Sequence, residues 1–126
     1  MNRFAWLVLA GVLVAAGANA QCRDADKAVE QKLALAGAPA QALVSQRIAV
    51  CVRHEYKLAV RAGQRLELSL TSPSGQKGML TLVAPSGEKS ADGENAWSGA
   101  APETGTYTVE IGTDKTTTYT LRIVVR

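Results

Sequence analysis

Residues 97–111, WSGAAPETGTYTVEI, decide how this chain folds. Ala101-Pro102 makes a turn, Gly105 permits a tight corner, and from there Tyr107, Val109 and Ile111 alternate with Thr108 and Glu110. Apolar residues at a period of two give a strand with one dry and one wet face, and the Gly/Pro punctuation before it excludes a helix. Such strands belong to antiparallel sheets whose outer face meets water.

The same period recurs on either side. In residues 56–70, YKLAVRAGQRLELSL, Tyr56, Leu58 and Val60 precede a turn at Ala62-Gly63-Gln64, and Leu66, Leu68 and Leu70 follow it. This spacing predicts two antiparallel neighbours. The alternation extends back through Val52 and Val50 to Ile48, with Arg47, Arg53, Lys57 and Arg61 between or beside the apolar positions. Ser72-Pro73-Ser74-Gly75 breaks the chain, Met79 to Ala84 reads as a continuously apolar strand, and Pro85-Ser86-Gly87 turns it. Glu88 to Asn95 reads as polar loop. After the turn-like run Gly112 to Lys115, a last strand carries Tyr119, Leu121, Ile123 and Val125. Seven or so short strands at this spacing predict an all-β fold, an antiparallel β-sandwich, with a compact open barrel as the alternative architecture.

The N-terminus has a different character. Arg3 is followed by an apolar run from Phe4 to Ala18 that ends in Ala18-Asn19-Ala20, the small-x-small pattern of a signal-peptidase site. Residues 1–20 therefore read as a signal peptide, and the product as periplasmic or secreted. No second long apolar segment follows, so no integral membrane segment is expected after cleavage. Gln21 and Asn19 do not fit a lipoprotein site at Cys22. Cys22 is expected to form a disulfide with Cys51, the one intramolecular pairing two cysteines allow. Closing a loop of about 30 residues would contribute about 3 kcal/mol in the chain-entropy model.

Residues 21–46 form a lead segment. Asp24 is an N-cap candidate, Val29, Leu33 and Ala36 recur at helical spacing, and Gly37 and Pro39 would end the run, so a short helix is expected over Asp24 to Ala36. Residues 47–126 are the sandwich. The 14 basic and 11 acidic residues give a net charge of +3, which loss of Arg3 with the signal peptide lowers to +2. The charges are interleaved, which argues against nucleic acid as a partner.

Searching for chemistry yields mainly exclusions. The single histidine, His54, has no partner set for zinc or copper, and no G-x-S-x-G or phosphate-cradling loop occurs. No enzyme activity, no cofactor and no metal are expected. His54 reads as a structural or surface histidine at a strand junction, and Asp92, Glu94 and Asn95 as a solvated loop in preference to a calcium site. Trp97 reads as a plug at one end of the sandwich, with stacking on a sugar ring as the functional alternative.

The pattern Tyr56-x-Leu58-x-Val60-x-Ala62-Gly63-Gln64, Leu80-x-Leu82-x-x-Pro85-x-Gly87, Trp97-x-Gly99, Pro102-x-Thr104-Gly105-x-Tyr107 and Tyr119-x-Leu121-x-Ile123 resembles the pre-peptidase C-terminal (PPC) domain. A freestanding exported domain of this pattern also resembles the periplasmic inhibitors of goose-type lysozyme. The resemblance implies a jelly-roll-like sandwich with no catalytic residues and a protein partner, a lysozyme, whose active-site cleft is filled. Thr104-Gly105-Thr106-Tyr107 is similar to the S-G-x-Y loop of some lysozyme inhibitors, with Thr in place of Ser. It implies a binding loop at Thr104, Gly105 and Tyr107, aided by Arg53, Arg61 or Arg122 offering cationic donors to carboxylates. The competing readings are a glycan or envelope-polymer binding module using Trp97 and Tyr56 as platforms, and a structural accessory domain.

Overall fold

The computed structural model describes residues 27–126. The expected signal peptide, residues 1–20, and Cys22 lie outside the described residues. Cys51 is not free.

Nine strands form two sheets: β1 Lys27–Gln31, β2 Ala40–Ile48, β3 Val52–Val60, β4 Arg65–Thr71, β5 Leu80–Val83, β6 Lys89–Glu94, β7 Ala96–Ala100, β8 Gly105–Ile111 and β9 Thr117–Val125. Sheet A has the order β1-β3-β8-β5-β6 and sheet B the order β2-β9-β4-β7. The architecture is the expected all-β sandwich. One connection differs from the sequence reading: β3 and β4 are not neighbours but lie in opposite sheets; β8 and β9 lie in opposite sheets as well. Only β5 and β6 form a hairpin within one sheet, and every other connection crosses the sandwich. Alternation along a strand fixes which face is buried but not which strand lies alongside.

The alternating residues form the core. Tyr56, Leu58 and Val60 from β3, Leu66, Leu68 and Leu70 from β4, Tyr107, Val109 and Ile111 from β8, and Tyr119, Leu121 and Ile123 from β9 are all buried. Met79, Leu80 and Leu82 complete it, with Trp97 half-buried against it.

Two segments depart from expectation. The predicted helix is not formed in the described part of 24–36: residues 27–31 are strand β1, paired in parallel with β3 from Lys27 beside Val52 to Gln31 beside Tyr56. Pairing on the open edge of sheet A lets Val29 and Gln31 face inward beside His54 and Tyr56, and this tertiary gain overrides a helical propensity worth only tenths of a kcal/mol per residue. The predicted loop at 88–95 holds edge strand β6, whose register against β5 shifts twice, at Leu80/Thr81 and Leu82/Val83. Edge irregularities and surface charge of this kind disguise a strand as a loop in sequence. Val50, read as part of one long alternating run, instead lies in the crossing from β2 to β3. It is exposed there, and Cys51 beside it adopts a φ of 69°.

Candidate functional site

Five segments gather at one end of the sandwich: 36–39, 61–64, 84–88, 101–104 and the chain end at Arg126. Three of them are tied together. The Ala62 amide donates to the Thr104 hydroxyl at 2.9 Å, and Gly63 N to Ala101 O at 2.9 Å. Glu103 accepts from both the backbone amide and the hydroxyl of Ser86, at 3.1 and 2.6 Å. Beneath the corner the Tyr107 hydroxyl accepts from Glu103 N and donates to Glu103 O, each at 2.9 Å. Gly105 lies against Pro85: a Cβ there would stand 2.8 Å from Pro85 Cγ, at a φ of +149° that side chains rarely adopt.

These ties frame a shallow cleft of about 340 Å³, lined by Ala59, Val60, Arg61, Gln64, Thr104, Gly105 and Thr106. Arg61, Thr104 and Thr106 are exposed on it. The lining holds one cation, several hydroxyl and amide groups and no carboxylate.

The residues expected to act together are separated in the fold. Thr104, Gly105 and Arg61 meet at the cleft. Tyr107 is fully buried, so it holds the corner from below and offers no hydroxyl to a partner. Arg53 lies on the outer face of sheet A, bonded to Glu55 through Nε and Nη2 at 3.2 and 3.0 Å. Arg122 is exposed on the outer face of sheet B. Neither of the two expected aromatic platforms is presented outward. Tyr56 is fully buried, and Trp97 folds over Gly99, where a Cβ would come within 2.9 Å of its ring. Sequence reasoning missed Gln64, which accepts from Arg61 N at 2.8 Å and shapes the first loop, and the Glu103–Ser86 tie. The Pro85-Ser86-Gly87 turn was the visible signal for the latter.

A second polar cluster is internal. His54, the third residue of β3 and buried within the strand, bonds through Nδ1 to the Tyr119 hydroxyl at 2.7 Å, and Tyr119 bonds to Tyr56. Burial pushes the His54 pKa down, keeping the ring neutral, and burial pushes Tyr56 and Tyr119 up. The cluster is structural. Asp92, one of the residues weighed for calcium, pairs with Lys89 at 3.7 Å on β6. Among the described residues no group of His, Cys, Asp and Glu is placed to hold a metal ion, and no helix is long and apolar enough to cross a membrane.

A similar arrangement of strands is found in PliG of Aeromonas hydrophila, a periplasmic lysozyme inhibitor of g-type lysozyme, over 81% of this chain and 100% of that one, with a TM-score of 0.67 at 19% identity. The fold is that of the PliG inhibitors. A PliG mutant from Escherichia coli matches over the same shares with a TM-score of 0.61 at 18% identity. The pre-peptidase C-terminal domain of a Bacillus anthracis collagenase matches over 78% of this chain and 95% of that domain, with a TM-score of 0.56 at 14% identity. The PPC-like sandwich expected from the sequence is therefore present. No protein-family model and no curated sequence matches the chain.

Proposed function

We propose that the protein is an exported, non-catalytic inhibitor that binds a lysozyme and occludes its active-site cleft with the loop end at 61–64 and 101–106. The observation that carries this reading is the sandwich shared with PliG proteins across four-fifths of the chain. The chemistry of the loop end supports it. Lysozymes cleave glycosidic bonds with carboxyl groups set in a cleft. A partner for such a cleft needs rigidly held donors, and Arg61 with Thr104 and Thr106 supplies them, while the one acid of the 101–106 segment, Glu103, is engaged by Ser86. The ties from Thr104, Glu103 and Tyr107 fix the loops before binding, so little ordering entropy is lost on association.

Amide hydrogen exchange on a mixture with goose-type lysozyme tests this placement. Protection is expected at 61–64 and 101–106, and protection confined to other segments would contradict the proposed face.

A further inference from the structure

The two outer faces of the sandwich carry different charge patterns, mixed on sheet A and arginine-rich on sheet B. On sheet A, Glu30, Glu55, Glu110 and Asp92 fall on one lateral row through the β1, β3, β8, β5 and β6 registers, with Thr81 between the last two. Arg53, Lys57 and Lys89 answer them in ion pairs. The outer face of sheet B instead has Arg47, Arg65, Arg122 and Arg126 against a single acid, Glu67, which Arg126 already holds at 3.0 Å. Arg47, Arg65 and Arg122 are exposed and enter no ion pair among the described residues.

Their placement is regular. Arg47 is level with Thr118 on β9, Arg122 lies four residues further on, and Arg65 pairs with the backbone of Arg126 another four residues on. At about 3.3 Å per residue the three guanidinium groups are rooted about 13 Å apart along the strands, stepping diagonally from β2 across β9 to β4. Between them the face carries hydroxyls, Ser45 bonded to Thr120 at 3.0 Å and Ser69 and Thr71 on β4. Leu43, 69% exposed, pairs with Arg122 across the ladder.

We propose that the outer face of sheet B docks an acidic polysaccharide, one whose carboxylates are separated by neutral sugars. Guanidinium forks donate two parallel hydrogen bonds to a carboxylate, the Ser and Thr hydroxyls match sugar hydroxyls, and Leu43 offers an apolar shelf to ring C–H groups. The charge spacing selects this occupant. A nucleic-acid strand carries a phosphate every 3.4 Å or so and is held by dense cations or aromatic stacking, and this face has neither. The inference goes beyond lysozyme inhibition and does not rest on it: Arg65 borders the loop end, whereas Arg47 and Arg122 stand away from it along β2 and β9.

Retention of the protein on immobilised hyaluronan tests it, with dextran, polyphosphate and duplex DNA as comparison matrices. Salt-sensitive binding to hyaluronan above all three is expected, falling at least about tenfold in the triple variant Arg47→Ser, Arg65→Ser, Arg122→Ser. A Lys57→Ser, Lys89→Ser variant of the opposite face should bind as before, and lysozyme inhibition by an Arg47→Ser, Arg122→Ser variant, which leaves the loop end untouched, should be unchanged. Absence of hyaluronan binding, equal binding to dextran, tighter binding to polyphosphate or DNA, or indifference to the arginine substitutions in a variant with an unaltered melting temperature would overturn the proposal.

Discussion

The Tyr107 hydroxyl satisfies both backbone polar groups of Glu103, four residues earlier, at 2.9 Å each. This is a tyrosine corner of the kind β-sandwiches use to brace the entry to a strand. It connects the buried core to the exposed cleft, because the same Glu103 holds Ser86 and the next residue, Thr104, holds Ala62. Tyr107→Phe removes both bonds while keeping the ring, so unfolding in urea should show a loss of about 1–3 kcal/mol. Lysozyme inhibition should weaken with it, through a loosened loop and not a lost contact.

Gly105→Ala adds a methyl group where Pro85 Cγ stands 2.8 Å away and where the backbone is at φ +149°. Strain in both respects should cost about 1–3 kcal/mol in the unfolding free energy. A variant as stable as the parent would show that this corner is not constrained as described.

At Thr104 the hydroxyl matters more than the methyl group. Thr104→Val leaves the Ala62 amide without its acceptor and should cost about 1 kcal/mol, whereas Thr104→Ser should restore most of it. Thermal melts of the two variants side by side distinguish a hydrogen-bonding role from simple packing.

Arg61 is exposed and its side chain makes no ion pair among the described residues. Arg61→Ser should therefore leave stability within about 0.5 kcal/mol of the parent while reducing inhibition. Arg53→Ser, which breaks only the contact with Glu55 on sheet A, should leave inhibition intact.

Stability should depend on pH through His54. Burial holds its folded pKa below the ordinary 6.5 of the unfolded chain, so the unfolded state takes up a proton first as pH falls. The contribution is complete above about 6.5 and is lost as pH drops from there through the folded value. Urea midpoints at pH 7.5 and 5.5 should differ in that direction, and His54→Gln should remove most of the difference.

The fold was legible from particular residues. Leu66, Leu68, Leu70 and Tyr107, Val109, Ile111 face the core as their period of two requires, and the Gly63 and Pro85–Gly87 turns fall where the chain reverses. Strand partners were not legible, because pairing depends on contacts between distant segments and the period of two is the same for any neighbour. Val29 illustrates the limit: its spacing to Leu33 and Ala36 fits a helix locally, and pairing with β3 makes residues 27–31 a strand. At the candidate site, that Thr104, Gly105 and Arg61 share one cleft follows from a turn motif and the loop facing it, both short-range features. Tyr107 was given an outward role that its own alternation with Val109 and Ile111 argues against. Arg53 does not join Arg61 because it lies near the far end of β3, the strand that leads into Arg61, and Arg122 does not because β9 belongs to the opposite sheet.

The most direct measurement is titration of goose-type lysozyme activity with the protein beginning at Gln21, alongside chicken-type and invertebrate-type enzymes. The account predicts that the activity of one lysozyme type falls linearly to near zero at one equivalent, and that Arg61→Ser shifts this curve. Full activity of all three enzymes at a large molar excess of folded protein would contradict it.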